Sequence, residues 1–243
     1  FKKGELSIGS WMQISSSSIA EIMGSSGFDW VAIDMEHGSF SNEKLPDLFR
    51  ALELNNTLPL VRLAEGNSKD CKLSLDAGAG GVIIPMVESA EQLRKIKEFC
   101  CWPPSGNRGV AFSRANLYGK FFNQYEKEAQ APLIIALIET SNGLDNINEI
   151  LEVDGLDAIM IGPYDLSASL GITAQFKNKI FLKALEDISE AAKVKKVPFG
   201  IHIIEPSKKE LNLRIQEGYK FLAYSIDSVM LRKIASFKNR ITS

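Results

Sequence analysis

The most constraining feature of this sequence is a regular alternation of short apolar segments with segments of helical periodicity. Eight apolar segments have the length and composition of buried strands. They are residues 7–14, 30–35, 58–63, 81–86, 132–139, 158–162, 199–204 and 221–226. Eight helical segments follow them in turn, at residues 17–25, 42–54, 68–76, 89–100, 141–151, 178–193, 207–217 and 228–237. Ser or Asn opens nearly every helical segment, as expected of N-caps.

The strands are apolar throughout rather than alternating, as in Gly-Val-Ile-Ile-Pro at 81–85. This pattern indicates parallel strands that are covered on both faces. Eight strand–helix units in 243 residues fit the size of a TIM (β/α)8 barrel. The alternative is a doubly wound open sheet, but it needs a glycine-rich turn after the first strand, which residues 12–16 lack. We therefore predict an α/β fold with one barrel domain over residues 1–243.

Charge and composition exclude several kinds of partner. The formal net charge is −2 without a long basic block, so we expect no nucleic-acid partner and no anionic membrane surface. No apolar run approaches the roughly 20 residues that span a bilayer. The cysteines Cys71, Cys100 and Cys101 lack CxxC spacing, which argues against a zinc site or a disulfide framework. The reducing cytoplasm is the expected location.

One segment interrupts the alternation between the fourth and fifth strands. Residues 101–130 lack apolar periodicity and contain the run Trp-Pro-Pro-Ser-Gly-Asn-Arg-Gly at 102–109. In a barrel this connection lies on the face where active sites are built. We predict a long active-site loop over residues 101–130 with a short helix near 118–128.

Polar and aromatic residues at the C-terminal strand ends are the candidate functional groups, because barrel enzymes build their sites there. In chain order they are Trp11, His37, Arg62, Glu139 and Asp165. His202 lies within the apolar seventh strand, where a satisfied interior histidine is at least as good an interpretation as a catalytic one.

Glu139 and Asp165 follow neighbouring predicted strands, and their carboxylates form a candidate metal site. Neighbouring strands lie about 4.8 Å apart, so both side chains can reach one cation. Two buried unpaired acids would repel each other, and a divalent cation between them relieves that repulsion. Oxygen ligands favour Mg²⁺ or Mn²⁺, with Co²⁺ as a further candidate. The alternative is that both acids are structural partners of Arg62 or of a lysine.

Six short motifs occur in an order that resembles a known family. They are DMEHG at 34–38, VR at 61–62, LDAGA at 75–79, PPSGNRG at 103–109, IET at 138–140 and GPYDLS at 162–167. Together they resemble the HpcH/HpaI class II aldolases, which include 4-hydroxy-2-oxoheptanedioate and 2-dehydro-3-deoxyglucarate aldolases. The similarity extends from residue 10 to about residue 238.

The resemblance implies a TIM barrel of the phosphoenolpyruvate/pyruvate superfamily with a divalent metal on Glu139 and Asp165. It implies that pyruvate chelates this metal, with Arg62 on the keto oxygen. It implies His37 as the acid/base group, supported by Asp76. Trp11, Gly162 and Pro163 are the further substrate-binding positions that we predict. The family assembly implied is a homo-oligomer, a hexamer or trimer of dimers, in which subunits exchange the eighth helix.

Two departures from the family pattern concern the pocket. Leu137 stands where family members carry Gln, two residues before the metal-binding Glu139. The pair Tyr224-Ser225 replaces a Val-Gly-like pair in the eighth strand.

The predicted activity is that of a metal-dependent aldolase, which cleaves or forms 4-hydroxy-2-oxo acids from pyruvate and an aldehyde. No predicted strand end presents a lysine, which argues against a Schiff-base mechanism. A divalent metal and an arginine fit the alternative route through a stabilised enolate. Two other interpretations remain open. One is a superfamily lyase that acts on another 2-oxo acid or a CoA ester, and the other is a non-catalytic metal-binding barrel.

Overall fold

A computed structural model describes residues 5–236 of the chain. Within this range eight parallel strands form a closed barrel in sequence order, and β8 pairs with β1. The strands are β1 (Ser7–Met12), β2 (Trp30–Asp34), β3 (Leu58–Arg62), β4 (Gly81–Ile84), β5 (Leu133–Ile138), β6 (Ala158–Ile161), β7 (Phe199–Ile203) and β8 (Phe221–Ile226). The predicted TIM-barrel fold is therefore confirmed.

The α-helices of the described range surround the barrel or lie within the segments that connect its strands. They are α1 (Ser17–Gly24), α2 (Leu45–Glu53), α3 (Ser68–Asp76), α4 (Ala90–Cys100), α5 (Phe122–Gln130), α6 (Ser141–Asp145), α7 (Ile147–Ile150), α8 (Pro163–Ser169), α9 (Lys179–Lys195), α10 (Lys208–Gln216) and α11 (Asp227–Ala235). None of these helices has the length and apolar character that a membrane crossing requires.

Several boundaries differ from the prediction. Most strands end one or two residues earlier than predicted, because the chain leaves the hydrogen-bonded ladder before its apolar run is complete. The predicted helix at 141–151 is divided into α6 and α7, and α8 was not predicted as a separate helix. The loop over 101–130 contains a 3-10 turn at Arg114–Asn116, and its helix is α5 rather than 118–128. Residues 1–4 and the predicted helix end at 237 lie outside the described residues.

Side chains alternate between the barrel interior and the surrounding helices. The apolar interior cluster consists of Trp11, Trp30, Ala32, Leu60, Ile83, Ile135, Leu137, Ala158, Met160, Phe221 and Ala223. The rings of Trp30 and Phe221 stack with their centroids 4.5 Å apart. The intervening residues of each strand pack against the helices in a second, larger core. We therefore expect the functional side chains to be interior residues at the C-terminal ends of the strands.

Gly200 allows β7 and β8 to approach closely in the interior. It is paired with Phe221 in the β7–β8 register. A Cβ atom at position 200 would lie 1.7 Å from the carbonyl oxygen of Phe221, which is far inside van der Waals contact. The two strands would have to separate to admit any side chain there.

We expect Gly200→Ala to destabilise the barrel by about 3 kcal/mol, the upper range for overpacking a core. The measurement is the midpoint of urea unfolding followed by circular dichroism. Gly109→Ala is the matched control, because a Cβ at position 109 has no atom within 4 Å. Equal midpoints for the two variants would contradict the predicted clash.

Candidate active site

The C-terminal strand ends surround a cavity of about 220 Å³, which we call the barrel cavity. Its lining consists of Trp11, Gln13, His37, Arg62, Leu137, Glu139, Gly162, Pro163, Tyr164, Asp165, His202, Ile204 and Ile226. Seven of the eight residues predicted for the site are among them, and the eighth, Asp76, is not. The structure thus places the predicted metal ligands, base and substrate-binding residues around one space.

The guanidinium of Arg62 is held by two acids. Its Nε and Nη2 donate to the two carboxylate oxygens of Asp34 at 2.8 and 2.6 Å. Its Nη1 lies 3.0 Å from Oε2 of Glu36. Within the described residues, these are the ion pairs of Arg62, so Glu139 and Asp165 are not its structural partners.

Burial acts to raise the pKa of Asp34, but the hydrogen bonds and charge of Arg62 outweigh this effect. The pKa of Asp34 therefore lies below its ordinary value.

Asp34 also organises the segment that carries His37. Its Oδ1 accepts the backbone N–H groups of Glu36 and His37 at 3.2 and 3.1 Å. Its Oδ2 accepts Nε2 of Gln13 at 2.9 Å. The turn after β2 is therefore fixed by a fully buried carboxylate, while the His37 side chain remains exposed at the cavity rim.

Glu139 follows the last paired residue of β5 and is buried, with 2% of its surface exposed. Its Oε1 accepts the backbone N–H of Met86 at 2.8 Å. Its Oε2 lies against Gly162, where a Cβ atom would be 2.4 Å away. Position 162 therefore requires glycine for the carboxylate to occupy this place.

Asp165 lies one helical turn beyond the sixth strand rather than at its end. Gly162 is the N-cap of α8, Pro163 is its first residue, and Asp165 is in its first turn. Proline at this position is favoured because it has no N–H to leave unsatisfied. No hydrogen bond to the Asp165 carboxylate comes from any residue in 5–236, so its oxygens are available to a ligand.

The electrostatics of the cavity favour a bound cation. Burial, with the nearby negative charges of Glu36 and Asp165, raises the pKa of Glu139 to about 7, although the Met86 hydrogen bond and Arg62 oppose the shift. Burial also raises the pKa of Glu36. Residues 5–236 contain no group of three or more His, Cys, Asp or Glu side chains arranged to hold a metal. Glu139 and Asp165 thus fit a divalent ion that takes its other ligands from substrate and water, as Mg²⁺ does in many enzymes.

Apolar and aromatic side chains lie beside the charged groups of the cavity. Leu137 is buried, and it belongs to the interior cluster with Trp11. Trp11 lies between two polar groups: the Arg62 guanidinium is 4.6 Å from its ring centroid, and the His202 ring centroid is 5.4 Å away. The cavity therefore combines charged groups with apolar and aromatic surface.

Comparison with known proteins places this barrel in a family. Residues 7–233 match the HpcH/HpaI aldolase/citrate lyase family. The hydroxypyruvate/pyruvate aldolase of Roseobacter denitrificans is 35% identical over 241 residues, covering 95% of this chain and 92% of that protein. The 2-keto-3-deoxy-L-rhamnonate aldolase of Klebsiella pneumoniae is 34% identical over 245 residues, covering 98% and 91%. The chain belongs to the HpcH/HpaI family.

The fold comparison agrees with this family. A crystal structure of an HpcH/HpaI aldolase/citrate lyase family protein from Burkholderia cenocepacia superposes with a TM-score of 0.91 at 28% identity. The match covers 99% of this chain and 96% of that one. The predicted family is therefore confirmed, and the predicted reaction class agrees with the aldolase names of the relatives.

One predicted site residue of this HpcH/HpaI chain lies outside the barrel cavity. Asp76 is the last residue of α3, and its buried Oδ1 has no hydrogen-bond partner among residues 5–236. Burial raises the pKa of Asp76, and the positive charges of Arg108 and Lys72 oppose this. Within one chain Asp76 does not line the site, so its predicted support of His37 requires a second subunit.

The sequence analysis missed two residues that shape the site. Asp34 and Glu36 were seen only as part of a motif, although they hold Arg62. The pair lies in the strand register, since Asp34 and Arg62 are the last residues of β2 and β3 and are directly paired. Opposite charges at the last interior positions of two adjacent parallel strands predict such a pair.

The raised pKa of Glu139 makes a prediction about stability without metal. The folded protein retains a proton on this carboxyl up to about pH 7, whereas an unfolded glutamate releases it near 4.5. Stability should therefore fall as the pH rises from about 4.5 to about 7. In EDTA at pH 8 we expect Glu139→Gln to be more stable than the wild type by up to about 3 kcal/mol, with a smaller difference at pH 5.

Urea unfolding at the two pH values measures this difference. Glu190→Gln is the control, because Glu190 is an exposed residue of α9 away from the site. A stability gain for Glu139→Gln that does not depend on pH would show that the carboxylate charge is not its cause.

Proposed function

We propose that this chain is a divalent-metal-dependent aldolase that cleaves 4-hydroxy-2-oxo acids to pyruvate and an aldehyde, and catalyses the reverse addition. The observation that carries the proposal is the convergence of two acids, an arginine and a histidine on one cavity. Family membership and the aldolase names of the relatives support the same reaction.

Glu139 and Asp165 would hold the metal, with Mg²⁺ or Mn²⁺ favoured by their hard oxygen ligands. A divalent ion bound there supplies a Lewis acid that stabilises the negative charge of the pyruvate enolate. Gly162 contributes by leaving space for the Glu139 carboxylate. Trp11 and Pro163 complete the walls beside the bound 2-oxo acid.

Arg62 would donate to the keto oxygen of pyruvate. A guanidinium has more N–H donors than the contacts with Asp34 and Glu36 use, so some remain for substrate. Its two acidic partners fix its plane before substrate arrives, so that little reorganisation is needed during the reaction. Its charge is permanent, unlike that of a lysine.

His37 would take the proton of the C4 hydroxyl group during cleavage and return it during addition. We propose further that the protein is a homo-oligomer in which Asp76 of a neighbouring copy supports this histidine. The exposed His37 and the unpaired Oδ1 of Asp76 support this arrangement. Arg108 supports it as well, because its Nε and Nη1 are buried without a hydrogen-bond partner among residues 5–236.

Metal removal tests the core of the proposal. We expect EDTA to abolish exchange of the pyruvate C3 protons with D2O, measured by proton NMR, and Mg²⁺ or Mn²⁺ to restore it. Glu139→Gln should remain inactive after metal is added, because it lacks one of the two charged ligands. Full exchange by a metal-free preparation would contradict the proposal.

His37→Asn tests the role of the base. We expect about a 10²- to 10⁴-fold loss in the rate of aldol cleavage. Exchange of the pyruvate C3 protons should be less affected, because it requires no deprotonation of a C4 hydroxyl group. The exchange reaction in the same sample therefore controls for folding and metal content. Cleavage at the wild-type rate would show that the base is another group.

A further inference from the structure

His202 lies between two cavities at the C-terminal end of the barrel. It lines the barrel cavity and also an adjoining cavity of about 500 Å³. Pro163, Tyr164 and Ile204 form the rest of the shared wall. The other residues of β7 that flank it, Ile201 and Ile203, pack outward into the helix-facing core. His202 is thus the interior side chain of β7 at the level of the site, and the proposed mechanism does not use it.

The hydrogen bond of His202 defines its tautomer. Its Nε2 is 3.3 Å from the carbonyl oxygen of Ser225. A carbonyl oxygen can only accept, so Nε2 carries the proton and Nδ1 has a free lone pair. Nδ1 has no hydrogen-bond partner among residues 5–236. The imidazole packs against the Trp11 ring, with the ring planes 43° apart, which fixes its orientation.

Ser225 has an unusual backbone that turns its carbonyl toward His202. Its φ is +62°, a left-handed value that is uncommon for a residue other than glycine. The register of β8 against β1 is irregular at this level, between Gly9 and Trp11. The Ser225 carbonyl also accepts the hydroxyl of Ser10 at 3.2 Å. Two interior donors therefore hold a strained carbonyl in place, which is typical of a functional position.

The surroundings keep this histidine neutral. Burial, with the positive charge of Arg62, lowers the pKa of His202 to about 3, although the Ser225 hydrogen bond and Asp34 oppose the shift. A neutral lone-pair acceptor binds O–H groups but does not attract a carboxylate. Apolar side chains from the ends of β7 and β8, Ile204 and Ile226, line the barrel cavity together with His202.

We propose that His202 is a specificity-determining residue, whose Nδ1 accepts a hydrogen bond from a hydroxyl group on the aldehyde half of the substrate. The enzyme should therefore prefer neutral hydroxyaldehydes to alkyl aldehydes of the same size. This inference rests on the proposed aldolase function and assigns the recognition of the second substrate within it.

The kinetic test compares glycolaldehyde with propanal, which differ only by a hydroxyl in place of a methyl group. The quantity measured is the ratio of kcat/KM for the two aldehydes in addition to pyruvate with Mg²⁺. We expect the wild type to favour glycolaldehyde by about tenfold or more, because an acceptor in the cavity wall is left unpaired by an analogue that cannot donate to it. The ratio is independent of the fraction of folded enzyme in each preparation.

Three substitutions separate recognition from support of the fold. His202→Asn keeps an acceptor near the place of Nδ1 but loses the bond to Ser225. His202→Gln keeps a donor toward the Ser225 carbonyl but loses that acceptor, and His202→Leu loses both. We expect the preference for glycolaldehyde to be retained largely in His202→Asn and lost in the other two. A preference that survives in His202→Gln and fails in His202→Asn would make the histidine a positioning residue for Ser225 and overturn the proposal.

Nitrogen-15 NMR of the imidazole groups gives a readout that does not depend on turnover. The chain has two histidines, so His202→Asn assigns both. We expect His202 to show a protonated Nε2 and an unprotonated Nδ1 at pH 7, and Nδ1 to shift upfield when glycolaldehyde is added with pyruvate and Mg²⁺. A protonated Nδ1, or an unchanged shift, overturns the proposal. Absence of addition with either aldehyde would instead show that the proposed aldolase function is wrong.

Discussion

The buried ion pair between Asp34 and Arg62 is the interaction on which the rest of the site depends. It joins the ends of β2 and β3 inside the barrel, and Asp34 is completely buried. The same carboxylate accepts the backbone N–H groups of Glu36 and His37, so one group positions the Arg62 guanidinium and the proposed base together. Removing one partner of such a pair costs about 3–5 kcal/mol, because the other charge remains buried. The placement of His37 is thus tied to the stability of the barrel.

This pairing also explains why the remaining acids need an external cation. Arg62 lines the barrel cavity, and its ion pairs within residues 5–236 are with Asp34 and Glu36. Within residues 5–236 neither Glu139 nor Asp165 forms an ion pair, and burial raises the pKa of Glu139 even though the charge of Arg62 acts to lower it. A proton or a divalent ion can compensate the charge of Glu139, and near neutral pH the two compete for the same carboxylate. The charges in the cavity therefore favour metal binding even when no substrate is bound.

Much of this arrangement could be predicted from the sequence, because a parallel barrel brings all C-terminal strand ends together. Glu139 and Arg62 lie at such ends, and their convergence followed from the order of strands alone. Asp165 was predicted at a strand end but lies in the first turn of α8, a short helix that begins at Pro163 and was not predicted.

Other features could not be read from local patterns. The partners of Arg62 depend on strand register, which a run of apolar residues does not reveal when both faces are buried. The position of Asp76 depends on the direction of α3 relative to the barrel cavity, and its proposed role depends on a second chain. The left-handed backbone at Ser225 arises from the irregular pairing of β8 with β1, a property of two distant segments. Each of these follows from long-range contacts rather than from propensity.

Along the barrel axis, the apolar residues that stabilise the fold lie at one end of the interior, and the charged residues of the site lie at the other. The lower interior is filled by large apolar side chains such as Trp30 and Phe221, which are almost completely buried and stacked. Burial of such aromatic groups contributes several kcal/mol, which offsets the cost of charged groups near the opposite end. Alternation along one strand connects the two levels, since Ala32 and Asp34 point to the same interior two residues apart. A change in the polar level can therefore alter the chemistry while the apolar level maintains the fold, provided that Asp34 and Arg62 remain paired.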